Sequence, residues 1–339
     1  MNKTASFISA VIAFYILTAC AQLGGREGGG DSLPNRGITN YESAALGDPP
    51  SDIVLAPPGS SSQSYGEPSA IVYQDQVHLY VHAVEWNGEG SILLFVSQDN
   101  GKSFTEPSTV AEAPTGTSGI LSSPSVSCID NTCILGALAG NPAAIYIADG
   151  PPQGPFVWRD SPAVEATEDF ESGGISSPSV ILEDTQIRIY YTTKPELDAP
   201  TSIAGGTLNH SNLFEKWGVI VAPGRECLDS SGLPASCWNE VGNREPEVKI
   251  ALTGTGRTLY RMLFTGTDGN TDQVGFAASW DGETFESYAF NPIFDDGKTQ
   301  VSNIRVGDSY LLYYVPSATW DAGKIGLAVN EQGNATESF

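Results

Sequence analysis

Glu67-Pro68-Ser69-Ala70-Ile71-Val72 is the first of five related phrases along the 339-residue chain. The others are Ser123-Pro124-Ser125-Val126, Ser177-Pro178-Ser179-Val180, Glu245-Pro246-Glu247-Val248 and, more loosely, Ser302-Asn303-Ile304-Arg305-Val306. Their starts lie 56, 54, 68 and 57 residues apart. A period of this length, filled with short β segments and turns, is typical of a β-propeller. The sequence therefore predicts an all-β fold with five blades.

Each period carries signals for four antiparallel strands. The phrase itself is followed by an aromatic and aliphatic strand, a third strand of small and β-branched residues, and an aromatic residue that opens an outer strand. These aromatic residues are Phe104, Trp158, Trp217 and Phe285. The fifth period stops before its outer strand, and segment 52–57 resembles the outer strand of blade three, 218–223. We therefore predict that an N-terminal strand closes the ring, because closure hides the edge of the last blade.

Two turns have a defined chemistry. Ser97–Phe104 matches the pattern S-x-D-x-G-x-[ST]-[FW], called an Asp box in sialidase-like propellers, and Ser279–Phe285 is a shortened version. The Asp side chain can accept backbone N–H groups across such a turn, and Gly supplies a positive φ. We expect both turns to be structural.

The first 19 residues read as a signal peptide. Lys3 supplies the charged start and Phe7–Leu17 the apolar core, which is too short for a span of roughly 20 residues. Leu17-Thr18-Ala19-Cys20 resembles the lipobox of bacterial lipoproteins. This resemblance implies cleavage before Cys20, its lipidation, and an extracytoplasmic, membrane-anchored protein, at the outer membrane if the host is Gram-negative. The alternative is an ordinary secretory signal with a chance cysteine.

Residues 20–50 follow as a predicted tether. They are rich in Gly, Ser, Asn and Pro, a composition that behaves as a flexible coil because it buries little apolar surface. The propeller is then expected to occupy residues 51–339.

The four remaining cysteines form two close pairs. A turn would place Cys128 opposite Cys133, while Cys227 and Cys237 close a loop of turn-forming residues. Two local disulfides of this kind fit an oxidising compartment. The alternative is four buried free thiols.

The charge of the chain limits its partners. It carries 16 Lys and Arg against 40 Asp and Glu, a net charge of −24 at pH 7. Nucleic acids and anionic membrane surfaces require a basic patch. We therefore expect no nucleic-acid partner, membrane contact through the lipid anchor alone, and a monomer.

The chain has five predicted blades, with a carboxylate or small polar residue ahead of Pro at the head of the innermost strands. In this it resembles the propellers of glycoside hydrolase families 43 and 32 and their relatives. The blade ends at 147–156 and 209–217 are also similar, and the resemblance covers roughly residues 52–339. It implies four-stranded antiparallel blades and a carbohydrate ligand. Some relatives hold calcium in the central channel. No acidic motif here specifies a metal, the three histidines lack zinc spacing, and we predict no other cofactor.

The resemblance also implies where catalytic carboxylates lie. Glycoside hydrolysis normally needs a protonated acid and a second carboxylate as base or nucleophile. In the resembled families one carboxylate heads blade one, an Asp comes from blade two, and the acid Glu comes from blade three. Glu67 matches the first place, but Ser123 and Ser177 stand in the other two. The standard set is therefore incomplete.

Other carboxylates are candidates to complete the site. Glu245 heads blade four, and strand alternation would direct Glu247 to the same side. Asp169 and Glu171 precede blade three and could reach over the channel. We predict Glu67, Glu245 and Glu171 as catalytic candidates, with Arg244, Glu247 and Asp169 as substrate-binding residues.

The same residues could instead have structural roles. Arg244 could simply neutralise Glu245 and Glu247 in a structural network, and Glu67 could bind a hydroxyl or an ion. His82 and Trp86, near the end of the second strand of blade one, could form a sugar-stacking rim or could be packing residues.

The sequence thus favours a cell-envelope lipoprotein with a glycosidase-like propeller that binds carbohydrate or carries out a diverged glycoside hydrolysis. Whether it is an enzyme stays open. The alternative from another class is a surface scaffold that binds protein partners and has no catalytic channel.

Overall fold

The computed structural model describes residues 42–43, 52–58, 63–84, 89–117, 119–224, 227–228, 234–235, 237–253, 255–288, 291–294, 297–316 and 323–330. The predicted signal peptide, Cys20 and Trp86 lie outside these residues. Within them, no helix has the length and apolarity needed to cross a membrane.

The described residues form a five-bladed propeller, as predicted. Blades one to four each contain four antiparallel strands, and blade five is completed by strands from the N-terminal side. The strands are β1 Glu42–Ser43, β2 Ile53–Leu55, β3 Ser64–Tyr73, β4 Gln76–Val84, β5 Gly90–Ser97, β6 Ser108–Glu112, β7 Leu121–Ile129, β8 Thr132–Ala139, β9 Ala144–Gly150, β10 Val157–Trp158, β11 Ile175–Leu182, β12 Ile187–Thr193, β13 Ser202–Leu208, β14 Phe214–Val221, β15 Cys227–Leu228, β16 Pro234–Ala235, β17 Gly242–Leu252, β18 Thr258–Thr267, β19 Asp272–Ser279, β20 Glu286–Ser287, β21 Lys298–Val306, β22 Ser309–Pro316 and β23 Ile325–Asn330.

The blades surround a central channel. Their innermost strands are β3, β7, β11, β17 and β21, and each contacts the innermost strand of the next blade, with β21 returning to β3. The apolar core fills the spaces between neighbouring sheets, where residues such as Leu79, Leu135, Ile189 and Met262 are fully buried. The sheets therefore stack around the channel as in other propellers.

The ring closes through the N-terminal segment, as predicted. Ile53 and Leu55 of β2 pair antiparallel with Gly326 and Ile325 of β23. The structure also pairs Glu42 of β1 with Val329, although residue 42 lies in the segment expected to be a tether. Both strands cover the outer edge of β23, which would otherwise present unpaired backbone groups.

Every innermost strand has the same irregularity two or three residues after its start. Its head residue has a left-handed φ of 46–56° and is followed by a register shift against the second strand. The five head residues are Glu67, Ser123, Ser177, Glu245 and Gln300. The prediction that Ser302 heads blade five is wrong by two residues. Gln300 lacks a following Pro, so the phrase was not visible there, but its backbone adopts the same bulge.

Side chains two residues after each head residue form hydrogen bonds between neighbouring blades. Ser69 Oγ accepts the N–H of Val126 at 3.0 Å, and Ser125 Oγ accepts that of Val180 at 2.9 Å. The pattern continues from Ser179 to Val248 and from Ser302 to Ala70, both at 2.9 Å. At the corresponding place in blade four, Glu247 Oε1 accepts the hydroxyl of Ser302 instead, at 2.6 Å. These bonds set the relative height of adjacent blades.

The Asp-box turns are structural, as expected. Asp99 accepts the hydroxyl and backbone N–H of Ser103, the hydroxyl of Ser97 and the backbone N–H of Lys102. Burial alone would raise its pKa, but these hydrogen bonds, that of the Ser103 hydroxyl first, hold the pKa at about 2. Tyr313 of blade five donates its hydroxyl to Gly101 O at 3.0 Å. A Cβ at Gly101, whose φ is +80°, would lie 2.1 Å from that hydroxyl. The turn therefore also locks blade one to blade five.

The opening of the outer strand differs in blades three and one. In blade three, β14 begins at Phe214, so Trp217 lies within the strand rather than at its start. The other difference is in the outer strand of blade one. Phe104 was expected to begin that strand, but β6 begins at Ser108. The Phe104 ring instead packs edge-on against Tyr313, with 6.0 Å between ring centroids. Phe104 therefore packs between blades one and five and lies before the outer strand.

Cys128 and Cys133 form the predicted disulfide and lie directly opposite each other in the β7–β8 hairpin. Cys237 is also disulfide-bonded, while the side chain of Cys227 lies outside the described residues. In the long interval between blades three and four, β15 pairs with β16.

Candidate functional site

The five head residues meet at one end of the channel, which we call the head mouth. A cavity of about 40 Å³ lies among them, lined by Glu67, Ser123, Ser177, Glu245 and Gln300. A second cavity of about 200 Å³ adjoins it on the side of blade one, and Glu67 and Gln300 line both. The head mouth is therefore an opening at which Glu67 and Gln300 border both cavities.

Glu67 is held by three contacts from two residues, Ser123 and His82. Its carboxylate accepts the backbone N–H of Ser123 at 2.5 Å and the Ser123 hydroxyl at 2.6 Å. His82 Nδ1 lies 3.1 Å from Glu67 Oε2. The side chain is still 20% exposed, and it lines both cavities.

The surroundings of Glu67 keep it ionised. Burial alone would raise its pKa, but the hydrogen bond and charge of His82, with the two hydrogen bonds from Ser123, hold the pKa below its ordinary value. Hydrogen bonds to the charged form have this effect in general. Glu67 can therefore act as an acceptor or base, but not as a proton donor at neutral pH.

Gln300 links Glu67 to Glu245. Glu245 Oε2 accepts the N–H of Gln300 at 3.2 Å, and Gln300 Oε1 accepts the N–H of Glu67 at 3.2 Å. The side chains of three head residues thus accept the backbone N–H of the next head residue around the channel. These pairs are Glu245 with Gln300, Gln300 with Glu67, and Glu67 with Ser123. The Ser side chains of blades two and three are too short for this bridge. Glu67 and Glu245 therefore hold neighbouring blades together through their carboxylates, and they also line the opening.

Arg244 pairs with two carboxylates, one of which was not predicted. Its guanidinium lies 3.3 Å from Glu245 Oε1 and 2.7 Å from Asp272 Oδ2. Burial alone would lower the pKa of Arg244, but these carboxylates raise it. The structural network proposed for Arg244 and Glu245 is present, but with Asp272 in the place expected for Glu247.

Glu247 belongs to a layer beneath the heads. It lines the small cavity, yet its Oε1 accepts the Ser302 hydroxyl and lies 3.1 Å from Lys249 Nζ. Lys249 also donates to Ala70 O of blade one at 3.2 Å. The expected orientation of Glu247 towards the channel is observed, but its carboxylate is engaged by Lys249 and Ser302.

The structure does not bring Glu171 to the head mouth. Glu171 lies in a 3₁₀ turn, Asp169–Glu171, and is fully buried. Its carboxylate accepts the hydroxyl of Tyr191 and the backbone N–H groups of Thr167 and Glu168, and forms an ion pair with Lys216. Burial alone would raise its pKa, but these partners lower it.

Asp169 is exposed in the same turn, and neither Asp169 nor Glu171 lines the cavities of the head mouth. The expectation that this loop reaches over the channel is wrong, because the buried carboxylate of Glu171 ties the loop to Lys216 on the outer strand of blade three.

The described residues contain no group of three or more His, Cys, Asp or Glu that could hold a metal ion. Trp86 lies outside those residues, so its predicted place on a sugar-binding rim stays a prediction. Sequence reasoning missed Gln300 and Asp272. The regular spacing of the heads could have indicated Gln300, whereas Asp272 meets Arg244 only through the pairing of β17 and β18 and the turn beyond β18.

By sequence, neither a protein family nor a curated protein matches the chain. By structure, it is similar to solved glycoside hydrolases. One comes from work on the GH130 family of mannoside phosphorylases, which contains glycoside hydrolases that target β-1,2 mannosidic linkages in Candida mannan: TM-score 0.63, 13% identity, with 88% of this chain and 96% of that chain covered.

A thermostable family-43 glycoside hydrolase has a TM-score of 0.59 at 15% identity, with 79% of this chain and 89% of that chain covered. A glycosyl hydrolase from Bacteroides ovatus has a TM-score of 0.59 at 13% identity, with 88% and 96% covered. The chain has the five-bladed fold of these proteins. At such identities the likeness concerns the fold, and the chemistry has to be argued from the head mouth itself.

Proposed function

We propose that the protein is a lipid-anchored protein of the bacterial cell envelope whose head mouth binds carbohydrate. The observation that carries the proposal is the ionised Glu67, whose side chain is 20% exposed and lies beside His82 at the centre of the propeller. An ionised carboxylate accepts hydroxyl hydrogen bonds, and a histidine can donate one. The fold shared with glycoside hydrolases supports sugar hydroxyls as the groups that bind there.

The size of the opening favours a terminal sugar unit as the ligand. The cavity beside Glu67 measures about 200 Å³, which is below the range of roughly 300–1,000 Å³ that encloses drug-sized ligands. A single ring with its hydroxyls fits this scale better than an internal segment of a polymer. Tyr65 and His82 line the wall of that cavity and would contact the ring.

Binding is favoured over standard hydrolysis because serines, Ser123 and Ser177, stand at two of the three places where the resembled hydrolases carry a carboxylate. A glycosidase acid needs a raised pKa. Burial would raise the pKa of Glu67, which matches the one remaining place, but His82 and Ser123 hold it below its ordinary value, so Glu67 is not such an acid. Ser123 and Ser177 occupy the remaining family positions and cannot supply this proton.

Calorimetric titration tests the proposal. The full chain with Cys20→Ser, which removes the proposed lipid attachment, is titrated with mono- and oligosaccharides that include β-1,2-linked mannosides. Glu67→Gln and His82→Gln are expected to weaken binding at least tenfold, while Glu286→Gln, an exposed glutamate on β20, leaves it unchanged. Circular dichroism of each variant separates lost binding from lost folding.

The same samples are assayed for sugar release. Binding without turnover supports the proposal. Turnover that Glu67→Gln or Glu245→Gln abolishes would replace it with a hydrolase whose carboxylates have been relocated. Binding that Glu67→Gln and His82→Gln leave intact would place the ligand elsewhere, and an absence of sugar binding would favour the protein-binding scaffold.

Anchoring has its own test. Mass spectrometry of the N-terminal peptide from the native host should find cleavage before Cys20 and an acylated cysteine. A free thiol or an unprocessed N-terminus would overturn this part of the proposal.

A further inference from the structure

The two cavities of the head mouth are lined by carboxylates and, among the described residues, by no lysine or arginine. The carboxylates are those of Glu67, Glu245 and Glu247. His82 also lines the cavity beside Glu67, but an imidazole carries a positive charge only when it is protonated. A cleft lined by one sign of charge concentrates ligands of the opposite sign. The lining therefore favours a ligand that brings its own positive charge.

The basic side chains behind this lining are paired with other carboxylates. Arg244 lies 3.3 Å from Glu245 and 2.7 Å from Asp272, so one guanidinium serves two carboxylates. Lys249 lies 3.1 Å from Glu247. None of these contacts supplies a positive charge to Glu67.

Lys298, in the innermost strand of blade five, lines neither cavity in the part of the chain that the structure describes. Its ammonium lies 5.7 Å from the ring centroid of Phe294 and 4.9 Å from that of Tyr314. The residue is 6% exposed. Its charge is therefore held among aromatic rings instead of being presented at the mouth.

Glu67 and His82 leave two hydrogen-bond acceptors for a ligand. Glu67 Oε1 accepts one hydrogen bond, from the Ser123 hydroxyl, although a carboxylate oxygen has two lone pairs. His82 Nδ1 lies 3.1 Å from Glu67 Oε2, so in the neutral ring Nδ1 carries the proton and Nε2 is an acceptor. Within the described residues Nε2 makes no hydrogen bond, and it is not among their buried atoms that lack a partner. It is therefore accessible to a ligand.

An ammonium group matches these two acceptors better than a hydroxyl does. It has three N–H donors, so it can donate to Glu67 and to His82 together, whereas a hydroxyl has one donor. It also neutralises the charge of Glu67, and hydrogen bonds of charged groups are roughly twice as strong as neutral ones.

We propose that the head mouth selects a sugar with a free amino group, whose ammonium binds Glu67 and His82. This inference rests on the proposed carbohydrate function and names the class of sugar. The cavity of about 200 Å³ that both residues line suits one amino sugar unit.

Calorimetric titration at pH 7 tests the inference with methyl glycosides that differ in one substituent. Each amino sugar is compared with its parent sugar, which has a hydroxyl at that position, and with its N-acetyl derivative, which keeps the nitrogen but has no charge. The series covers glucose, galactose and mannose, with the amino group in place of each hydroxyl in turn. The protein is the full chain with Cys20→Ser.

We expect at least one amino sugar to bind about tenfold or more tightly than both of its neutral counterparts, the scale of one hydrogen bond to a charged group. Added salt should reduce this advantage. Neutral sugars that bind as tightly as every amino sugar would overturn the inference and leave carbohydrate binding in place. An absence of binding across the whole series would overturn both.

Glu67→Gln separates charge from shape, because glutamine has nearly the same size as glutamate and no charge. The ratio of amino-sugar to parent-sugar affinity should fall to about one in this variant, while the exposed Glu286→Gln leaves the ratio unchanged. His82→Phe keeps an aromatic ring, removes the Nε2 acceptor, and should lower the ratio about threefold or more. Circular dichroism identifies variants that do not fold. A ratio that folded Glu67→Gln retains would overturn the inference.

Cyclohexylamine provides a control for the sugar itself, since it has a ring and an ammonium but no hydroxyls. It should bind about tenfold or more weakly than the best amino sugar, because the hydroxyls contribute further hydrogen bonds. Equal binding would show that the head mouth recognises an amine and not a sugar, which would overturn the inference together with the proposed function.

Discussion

The carboxylate of Glu67 accepts both the backbone N–H and the hydroxyl of Ser123, at 2.5 and 2.6 Å. The two residues are 56 positions apart and head adjacent blades. One side chain therefore both joins two blades and presents a charge at the head mouth. Any substitution of Glu67 tests these two roles together, so the structural part has to be measured first.

Glu67 should make stability depend on pH in the acid range. Its folded pKa lies below the ordinary value of 4.5, so its stabilisation is complete above about pH 4.5 and is lost as the pH falls through the folded pKa. Glu67→Gln should cost about 1–3 kcal/mol at pH 7, because an amide cannot accept both bonds from Ser123. It should also flatten the unfolding free energy below pH 4.5. Urea unfolding at a series of pH values measures both effects, with Glu286→Gln as the control. An unchanged pH profile would mean that Glu67 keeps an ordinary pKa.

The serine ring should contribute to stability at each of its members. Ser125 and Ser179 are 4% and 1% exposed, and each accepts a buried N–H of the next blade. Ser125→Ala or Ser179→Ala would leave that N–H without a partner and should lower the unfolding free energy by about 1–3 kcal/mol. Ser108→Ala, at an exposed position on β6, should change it by less than about 0.5 kcal/mol. Equal effects at Ser108 and Ser179 would argue against the ring as the cause.

His78 should make the protein sensitive to mild acid. Its side chain is 1% exposed, and neither ring nitrogen makes a hydrogen bond of ordinary geometry. Burial lowers its pKa below the ordinary 6.5, and the Pro152 carbonyl offsets this only in part. The unfolded chain therefore takes up a proton below pH 6.5 while the folded chain does not, so stability falls with the pH until the folded pKa is reached.

His78→Phe should remove that loss, which amounts to at most about 1.4 kcal/mol per pH unit. Thermal unfolding between pH 7 and pH 5 measures it, and the exposed His210 serves as the matched control in His210→Gln. If the dependence of stability on pH persists in His78→Phe but disappears in His210→Gln, then His210 rather than His78 causes it.

Glu171 should act as a structural residue. Glu171→Leu leaves the Lys216 ammonium, 15% exposed, without its carboxylate, and should cost about 3–5 kcal/mol. The double variant Glu171→Leu/Lys216→Met should recover part of this loss, because it removes the uncompensated charge as well. Glu215→Gln, an exposed neighbour on β14, is the control, and chemical unfolding is the measurement. Full stability of Glu171→Leu, with lost sugar binding or turnover, would return this residue to the functional site.

Much of the architecture could be predicted from the sequence because propeller blades are local. Blades one to four each fold from one continuous stretch of chain, so their strand signals, turn chemistry and outer aromatic residues lie close together in the sequence. The closing strand was also predictable, since Ile53–Leu55 carries the pattern of an outer strand. The sequence predicts Ser302 instead of Gln300 as the head residue of blade five, because Gln300 is followed by Val301 rather than by Pro.

The site was less predictable because its contacts cross between blades. The sequence by itself determined that Glu67 and Glu245 head innermost strands and that serines, not carboxylates, head blades two and three. Tertiary structure decided that Gln300 bridges Glu67 and Glu245, that Arg244 meets Asp272, and that Glu171 is buried against Lys216, 45 residues away. The physical reason is that a strand pattern fixes which way a side chain points within its own blade, whereas the partner it meets depends on how neighbouring blades are stacked and on which buried charges must be paired.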